Sequence, residues 1–228
     1  ALYEQNIAAE LSGTPLCNGA SMGIHESQSR FWEIYVGSSR PFWRRYLGDL
    51  RAYFPEQLSE VDEETFYRAI NAAQPSLIRI EADELTYNLH IMIRYELEKG
   101  LIGGEITVAD LPRLWNEKYA EYLGVTPQND AEGVLQDVHW AGGSFGYFPS
   151  YSLGNMYAAQ LMHALRRQMP DVDERIARGE LHPIKAWLNE QVHRFGKTMT
   201  PDEIIRHVSG EPLNPQYLIR HLESKYSE

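Results

Sequence analysis

Apolar residues recur at helical spacing along most of the chain, and glycine or proline interrupts them. Residues 85–93 are a clear example, because Leu85, Leu89, Met92 and Ile93 would share one face of a helix. The predicted helices span residues 1–11, 25–36, 40–54, 62–73, 83–98, 110–123 and 149–169. The pattern therefore predicts a mainly α fold.

Helix-start and helix-stop signals support this interpretation. Thr200 and Glu203 form a capping-box pattern, with proline at the first helical position. Further helix starts are predicted at His182 and Asn214, each of which is followed by proline, and Gly124 is predicted to end the helix before it. We therefore expect helices to continue to the end of the chain.

One segment departs from helical spacing. Residues 77–81 alternate apolar and charged side chains, which is typical of a short, half-buried strand. Asp83 follows this segment and can cap the next helix. No internal repeat, low-complexity tract or linker interrupts the sequence, so residues 1–228 are expected to form one mostly helical unit with a little strand.

Composition narrows the classes of function. The 228 residues carry a net charge of −11, which disfavours nucleic acid and anionic membrane surfaces as partners. No apolar run approaches the roughly 20 residues that a membrane-spanning helix needs. The single cysteine, Cys17, excludes an internal disulfide and favours a reducing, cytoplasmic compartment. We expect it to be a small buried thiol.

The densest group of candidate residues lies in the segment 135–151. His139, Tyr147 and Tyr151 accompany a Gly-Gly pair and a further glycine, Gly146. Glycines let the backbone approach a ligand closely, and imidazole and phenol groups place polar atoms on rigid rings. This segment is therefore predicted to form the wall of a site. Five further histidines are widely spaced and are predicted to be surface or capped-helix residues: His163, His182, His193, His207 and His221.

Three short motifs carry a resemblance to a known family. Residues 25–28 read His-Glu-Ser-Gln, residues 78–83 fit the pattern I-R-x-x-A-D, and residues 133–140 fit G-x-x-Q-D-x-H-W. In this order the motifs resemble those of the thermostable carboxypeptidase (carboxypeptidase Taq) family of zinc metallopeptidases. That family also has an HEXXH helix, and this pattern does not occur in the 228 residues.

The resemblance implies a fold, a reaction and a cofactor. The fold would be mainly α, a multi-helix, cleft-forming metallopeptidase fold with a few short β-strands near the active site. The chain, 1–228, would be the C-terminal part of a single catalytic domain, truncated just after HEXXH. The intact enzyme would be a homodimer that uses one zinc ion to release C-terminal amino acids from peptides with broad specificity. The chain alone, lacking two histidine ligands and the general base, is expected to be inactive.

The resemblance assigns Glu26 as the third zinc ligand. A thermolysin-type zinc takes two histidines and one glutamate and keeps a position for water. From the residues alone, an alternative is a glutamate on a helix surface that pairs with Arg30 at i,i+4. His25, next to Glu26, would line the cleft or serve a structural role.

Arg79, Gln136 and Tyr151 are the candidate substrate-binding residues. A carboxypeptidase must recognise a free carboxylate, and a guanidinium group does so with a planar fork of donors. The resemblance suggests this role for Arg79; its alternative is an ion pair with a nearby acidic residue such as Glu81 or Asp83. Gln136 is also expected to support the neighbouring histidine.

His139 and Tyr147 are the candidate catalytic residues. Negative charge develops on the carbonyl oxygen during peptide hydrolysis, and an imidazole or phenol donor aimed at that oxygen lowers the barrier. The alternative is an aromatic core cluster without a catalytic role. Two further classes of function stay open: a non-catalytic helical interaction module that preserves half of a peptidase site, and an endopeptidase, which is disfavoured if Arg79 faces the cleft.

Overall fold

The computed structural model describes residues 1–227, and these form helices joined by loops, the longest of which spans residues 124–148. The α-helices are α1 (Leu2–Gln5), α2 (Met22–Arg30), α3 (Arg40–Tyr53), α4 (Pro55–Leu58), α5 (Glu63–Ile70), α6 (Tyr87–Ile102), α7 (Leu111–Leu123), α8 (Pro149–Gln168), α9 (Val172–Ala177), α10 (His182–Gln191), α11 (Pro201–Ser209) and α12 (Gln216–Tyr226). Short 3₁₀ turns occupy Ala9–Leu11, Arg79–Glu81, Val108–Asp110 and His193–Phe195, and a π-helical segment occupies Phe31–Gly37.

The predicted mainly α class is confirmed, and so are most of the helix boundaries. The capping box of Thr200 and Glu203 starts α11 as predicted, and Gly124 ends α7 in the left-handed conformation. The predicted first helix is shorter than expected, because the chain leaves α1 at Asn6 and resumes only as a 3₁₀ turn. Cys17 is exposed, so the prediction of a buried thiol is wrong.

The predicted β-strands are absent from residues 1–227, and the segment 77–81 ends in a 3₁₀ turn instead. The side chains here do alternate between buried and exposed, since Arg79 is buried and Ile80 is exposed, but the segment pairs with no other strand among the described residues. The amide of Gln136 takes the place of a neighbouring strand. Its Oε1 accepts from the Arg79 N–H at 2.9 Å, and its Nε2 donates to the Leu77 carbonyl at 3.0 Å. The Gln136 side chain thus supplies hydrogen bonds that the backbone of this segment would otherwise form with a neighbouring strand.

The chain divides into two compact units. The first comprises Ala1–Ile70 and Leu153–Glu228, and the second comprises Asn71–Ser152. In the first, α8 supplies a buried face that includes Leu161 and Leu165, packed with residues of α2, α10 and α11. α8 is largely buried, so its apolar residues are spread around the helix more than on an amphipathic surface helix.

The second unit is built on the pairing of α6 with α7. Its core contains Ile93 and Leu97 of α6 and Trp115 and Tyr119 of α7, with the two aromatic rings stacked 5.2 Å apart. A smaller cluster around Phe148 lies beside it in the same unit. No helix within the described residues is both long enough and apolar enough to cross a membrane.

Candidate functional site

The candidate residues fall into two groups, one in each unit. Glu26 belongs to the first unit, on α2, a helix that Ser21 caps by accepting from the Ile24 N–H at 3.1 Å. Arg79, Gln136, His139, Tyr147 and Tyr151 belong to the second unit.

The carboxylate of Glu26 is held on both oxygens by its own helix. Ser29 Oγ lies 2.8 Å from Oε2, and Arg30 Nε lies 3.4 Å from Oε1. One quarter of the Glu26 side chain stays exposed. The predicted i,i+4 pairing with Arg30 is therefore present, and part of the Glu26 side chain remains exposed.

Gly154 of α8 sets how closely the backbone can approach Glu26. A Cβ atom at position 154 would lie 2.4 Å from Glu26 Cγ and 2.6 Å from its Cβ. Such distances are too short for any non-bonded carbon pair, so a side chain here must displace Glu26. The position of Glu26 therefore depends on glycine at 154.

Gln28, the last residue of the first motif, links α2 to a buried histidine. Its Oε1 lies 2.8 Å from Nε2 of His193, and Asn189 Oδ1 lies 2.8 Å from the other ring nitrogen. His193 is fully buried, so the surface alternative predicted for it is wrong. Burial, with the charge of Lys185 as a smaller cause, lowers the pKa of His193 to about 4. Its spacing in sequence gave no sign of this contact, which joins residues far apart in the chain.

His25 points toward the start of the chain. Its ring lies against the Tyr3 ring at 4.9 Å, and its Nε2 is 3.6 Å from the Glu4 carboxylate. The Tyr3 hydroxyl accepts from the Ala20 N–H at 3.0 Å, which ties α1 to the loop before α2. These contacts favour the structural alternative for His25.

A buried ionic network forms the centre of the second group. Asp137 Oδ1 accepts from Arg79 Nε at 3.0 Å and from Nη2 at 2.6 Å, and Asp137 Oδ2 accepts from Arg94 Nε at 2.6 Å. All three side chains are buried: Arg79 is 7% exposed, Asp137 is 9% exposed and Arg94 is 0% exposed. Burial alone would raise the pKa of Asp137, but its hydrogen bonds and its attraction to both guanidinium groups hold the pKa below the usual value.

This network engages the guanidinium of Arg79 from several sides. Besides the bonds to Asp137, Nη1 donates to the Tyr87 hydroxyl at 3.1 Å, and the guanidinium carbon lies 4.8 Å from the centre of the Tyr151 ring. The acidic partner of Arg79 is therefore Asp137, whereas the sequence suggested Glu81 or Asp83. The substrate role of Arg79 stays a prediction, and it would require these contacts to be shared with a peptide carboxylate.

Gln136 makes four hydrogen bonds within the same unit. Oε1 accepts from the Arg79 N–H and, at 2.8 Å, from Arg94 Nη2. Nε2 donates to the carbonyls of Leu77 and Glu132. Since an amide has two donor hydrogens and two acceptor lone pairs, its capacity is filled. None of these four bonds reaches His139, so the expected support of that histidine is not among them. The predicted contact of Gln136 with substrate stays a prediction.

His139 and the two tyrosines are close together. His139 Nε2 lies 3.0 Å from the Tyr151 hydroxyl, and the centre of its ring is 5.4 Å from that of Tyr147. His139 Nδ1 lies 3.7 Å from Asp137 Oδ1. Burial lowers the pKa of His139, and the negative charge of Asp137 partly opposes this effect. A neutral imidazole can donate one N–H, and each tyrosine can donate its O–H.

A carboxylate that sequence reasoning gave no role borders this group. Glu98 of α6 is buried, and its Oε2 accepts from the indole N–H of Trp140 at 2.7 Å. Its Oε1 accepts from the backbone N–H of Gly146. Trp140, the final residue of the third motif, could have pointed to such an acceptor, since a buried indole N–H usually has one.

Within residues 1–227, no group of three or more His, Cys, Asp or Glu side chains is arranged to hold a metal ion. Glu26 thus offers one carboxylate, which fits one position of a four-coordinate zinc site but cannot complete it.

Comparison with known proteins gives a consistent result. Residues 1–226 match the model of the family described as Carboxypeptidase Taq (M32) metallopeptidase. The chain is 57% identical over 227 residues to Carboxypeptidase 1 of Bacillus subtilis and 47% identical over 227 residues to Thermostable carboxypeptidase 1 of Thermus thermophilus. The crystal structure of BsuCP superposes with a TM-score of 0.96 at 57% identity.

The matched region is only part of these relatives. The alignments cover 100% of this chain but 45% and 44% of the two curated carboxypeptidases, and 46% of the BsuCP chain. The chain therefore spans less than half the length of the relatives it matches.

Proposed function

Because the chain belongs to the carboxypeptidase Taq family of metallopeptidases, we propose that the intact protein removes C-terminal amino acids from peptides with the help of one zinc ion. The observation that carries this proposal is the family match over residues 1–226, which includes all three motifs. By analogy with the family, we further propose a homodimeric, cytoplasmic enzyme of broad specificity. A chain limited to residues 1–228 would be inactive.

Glu26 is proposed to supply one ligand to the metal. Its side chain is partly exposed, and Ser29 and Arg30 on the same helix orient its carboxylate. Zinc, when bound, would supply a Lewis acid and an activated water. Two histidines and a general base would have to come from outside the residues described.

His139 and Tyr147 are proposed to donate hydrogen bonds to the carbonyl oxygen that becomes negatively charged. Tyr151 holds His139 by a 3.0 Å contact with Nε2, so the direction of the imidazole is fixed in advance. Such preorganised donors typically contribute about 10²–10³ in rate.

Arg79 is proposed to bind the C-terminal carboxylate of the peptide, with Gln136 and Tyr151 at its side. The test compares Arg79→Ala with the wild-type enzyme on matched peptides that end in a free acid or an amide. Loss of a charge-assisted hydrogen bond of about 1.5–3 kcal/mol predicts a roughly ten- to 150-fold lower kcat/KM on the free acid alone. Equal losses on both peptides would make Arg79 structural, tied to Asp137.

The activity itself is tested with the full-length protein. We expect release of single C-terminal residues, abolished by a chelator and restored by zinc. Internal cleavage of amidated peptides would instead indicate an endopeptidase.

A non-catalytic helical module is favoured by one observation, the absence of a three-ligand metal group from the described residues. Calorimetric titration of zinc into the chain 1–228 should show no tight site. If the full-length protein also binds no zinc and releases no amino acid, the protein is a non-catalytic helical module and the proposed carboxypeptidase activity is refuted.

A further inference from the structure

The glycine-rich loop, residues 140–146, has few contacts of its own to hold it. Residues 141–146 are exposed. Three backbone N–H groups fold the first part: Gly142 donates to the Val138 carbonyl at 2.9 Å, Gly143 to the Trp140 carbonyl at 3.0 Å and Ser144 to the His139 carbonyl at 2.8 Å. Gly146, at the far end, has a φ of +75°, a conformation that glycine adopts without strain. The next residue is Tyr147, so the end of this loop determines where the phenol lies.

Glu98 binds both ends of the loop. One carboxylate oxygen accepts from Trp140 Nε1 at 2.7 Å, and the other accepts from the Gly146 N–H. Two N–H donors on two different oxygens require a group that accepts at both, which a carboxylate does and an amide does not. Glutamine here would turn its own NH₂ toward one of the donors.

The surroundings of Glu98 do not otherwise favour a charge. The side chain is 8% exposed, and burying a carboxylate is unfavourable unless hydrogen bonds compensate. The two hydrogen bonds to the loop are therefore the physical reason for an acid at this position.

We propose that Glu98 is a positioning residue, which fastens both ends of loop 140–146 and thereby fixes Tyr147 beside His139. The fastening of the loop is independent of the proposed function, whereas its effect on catalysis rests on the proposed donor roles of Tyr147 and His139. Glu98 itself needs no contact with substrate.

The test is Glu98→Gln in the full-length protein, followed by hydrogen exchange of the peptide covering 141–147. We expect exchange there to rise about tenfold or more, because local opening of the loop becomes easier. On a peptide substrate, kcat should fall about tenfold with KM changed less than about twofold, as expected when an interaction specific to the transition state is lost.

Glu96→Gln is the matched control. Glu96 lies on the same helix and likewise accepts one hydrogen bond on each carboxylate oxygen, but its donors, the side chains of Lys118 and Tyr122, both belong to α7. This variant should leave loop exchange and kcat unchanged even if it lowers the melting temperature as much as Glu98→Gln. If both variants raise loop exchange equally, or if neither does, the proposal is wrong.

Trp140→Phe provides a rescue. It removes one donor, so an amide at position 98 can then turn its oxygen toward Gly146. Adding Glu98→Gln to Trp140→Phe should therefore raise loop exchange by less than about twofold, far below its effect in the wild type. Full additivity would contradict the two-donor account. If Glu98→Gln speeds exchange of the loop but the wild-type protein has no peptidase activity, the loop contact is supported and the proposed function is refuted.

Discussion

Glu26 and Asp137 are both carboxylates in family motifs, yet their environments are opposite. Asp137 is buried, 9% exposed, and accepts hydrogen bonds from two buried arginines. Glu26 is 25% exposed and is held by one hydroxyl and a 3.4 Å ion pair on its own helix. Burial and partners therefore distinguish a motif carboxylate fixed inside a buried ionic network from one whose side chain stays partly exposed, as the ligand role proposed for Glu26 requires.

The largest effect on stability is expected from breaking the Asp137 network. Asp137→Asn leaves Arg79 and Arg94 without their shared counter-charge, and removing one partner of a buried pair costs about 3–5 kcal/mol. Denaturant unfolding measures this loss. Asp202→Asn is the control, because its pair with Arg206 is more than half exposed and should contribute less than about 1 kcal/mol. Equal losses would show that burial of the network has no energetic consequence.

The second prediction concerns pH and His90, a fully buried neighbour of this network. Burial, and then the positive charges of Arg94 and Arg79, lowers its pKa to about 4. Between pH 6.5, the ordinary pKa of histidine, and about pH 4, His90 is protonated in the unfolded chain but neutral in the folded chain. Stability should therefore fall as pH falls through this window, by up to about 3 kcal/mol from this residue.

His90→Asn tests this prediction, because asparagine can still approach the Tyr119 hydroxyl that lies 3.1 Å from His90 Nδ1 but cannot be protonated. The stability difference between wild type and variant should shrink as pH falls from 6.5 to about 4. His207→Gln, at an exposed position, should leave the pH profile unchanged. A wild-type profile that is flat in this window would contradict the assignment.

Gly154→Ala tests how firmly the surrounding structure holds Glu26 in place. Alanine normally stabilises a helix relative to glycine by up to about 1 kcal/mol, but here its Cβ would overlap Glu26, and overpacking costs about 1–3 kcal/mol. Gly48→Ala in α3 is the matched control, since no atom lies within 4 Å of a Cβ built there. The two substitutions should change the unfolding free energy in opposite directions. Stabilisation by both would show that Glu26 moves aside without resistance.

Much of the fold follows from local sequence signals, because caps, prolines and helical spacing act over a few residues. The strand predicted at 77–81 failed for a long-range reason: Gln136, distant in sequence, satisfies its backbone. The motifs located Glu26, Arg79 and His139, but the partners of these residues depend on tertiary contacts. The acid that binds Arg79 and the roles of His193 and Glu98 are visible only once the chain is folded.

The smallest effect on stability is expected for Glu26 itself. Glu26→Gln keeps the shape of the side chain and removes only a partly exposed ion pair, so the free energy of unfolding should change by less than about 1 kcal/mol. Glu33→Gln is the matched control, because Glu33 binds the same arginine through Nη1 at 3.0 Å and is more exposed. Denaturant midpoints of the two metal-free variants should agree closely; a much larger loss for Glu26→Gln would assign Glu26 to the scaffold, like Asp137.

Metal content tests the central claim most directly, namely that Glu26 is a metal ligand in a zinc carboxypeptidase. The full-length protein, Glu26→Gln and Glu33→Gln would be purified in parallel, saturated with zinc, desalted and analysed for bound metal. We predict about one zinc ion per chain in the wild type and in Glu33→Gln, and less than about a tenth of that in Glu26→Gln, because a four-coordinate site loses one of its three protein ligands. Full zinc occupancy and normal turnover in Glu26→Gln would contradict the account and return Glu26 to the helix surface as a partner of Arg30.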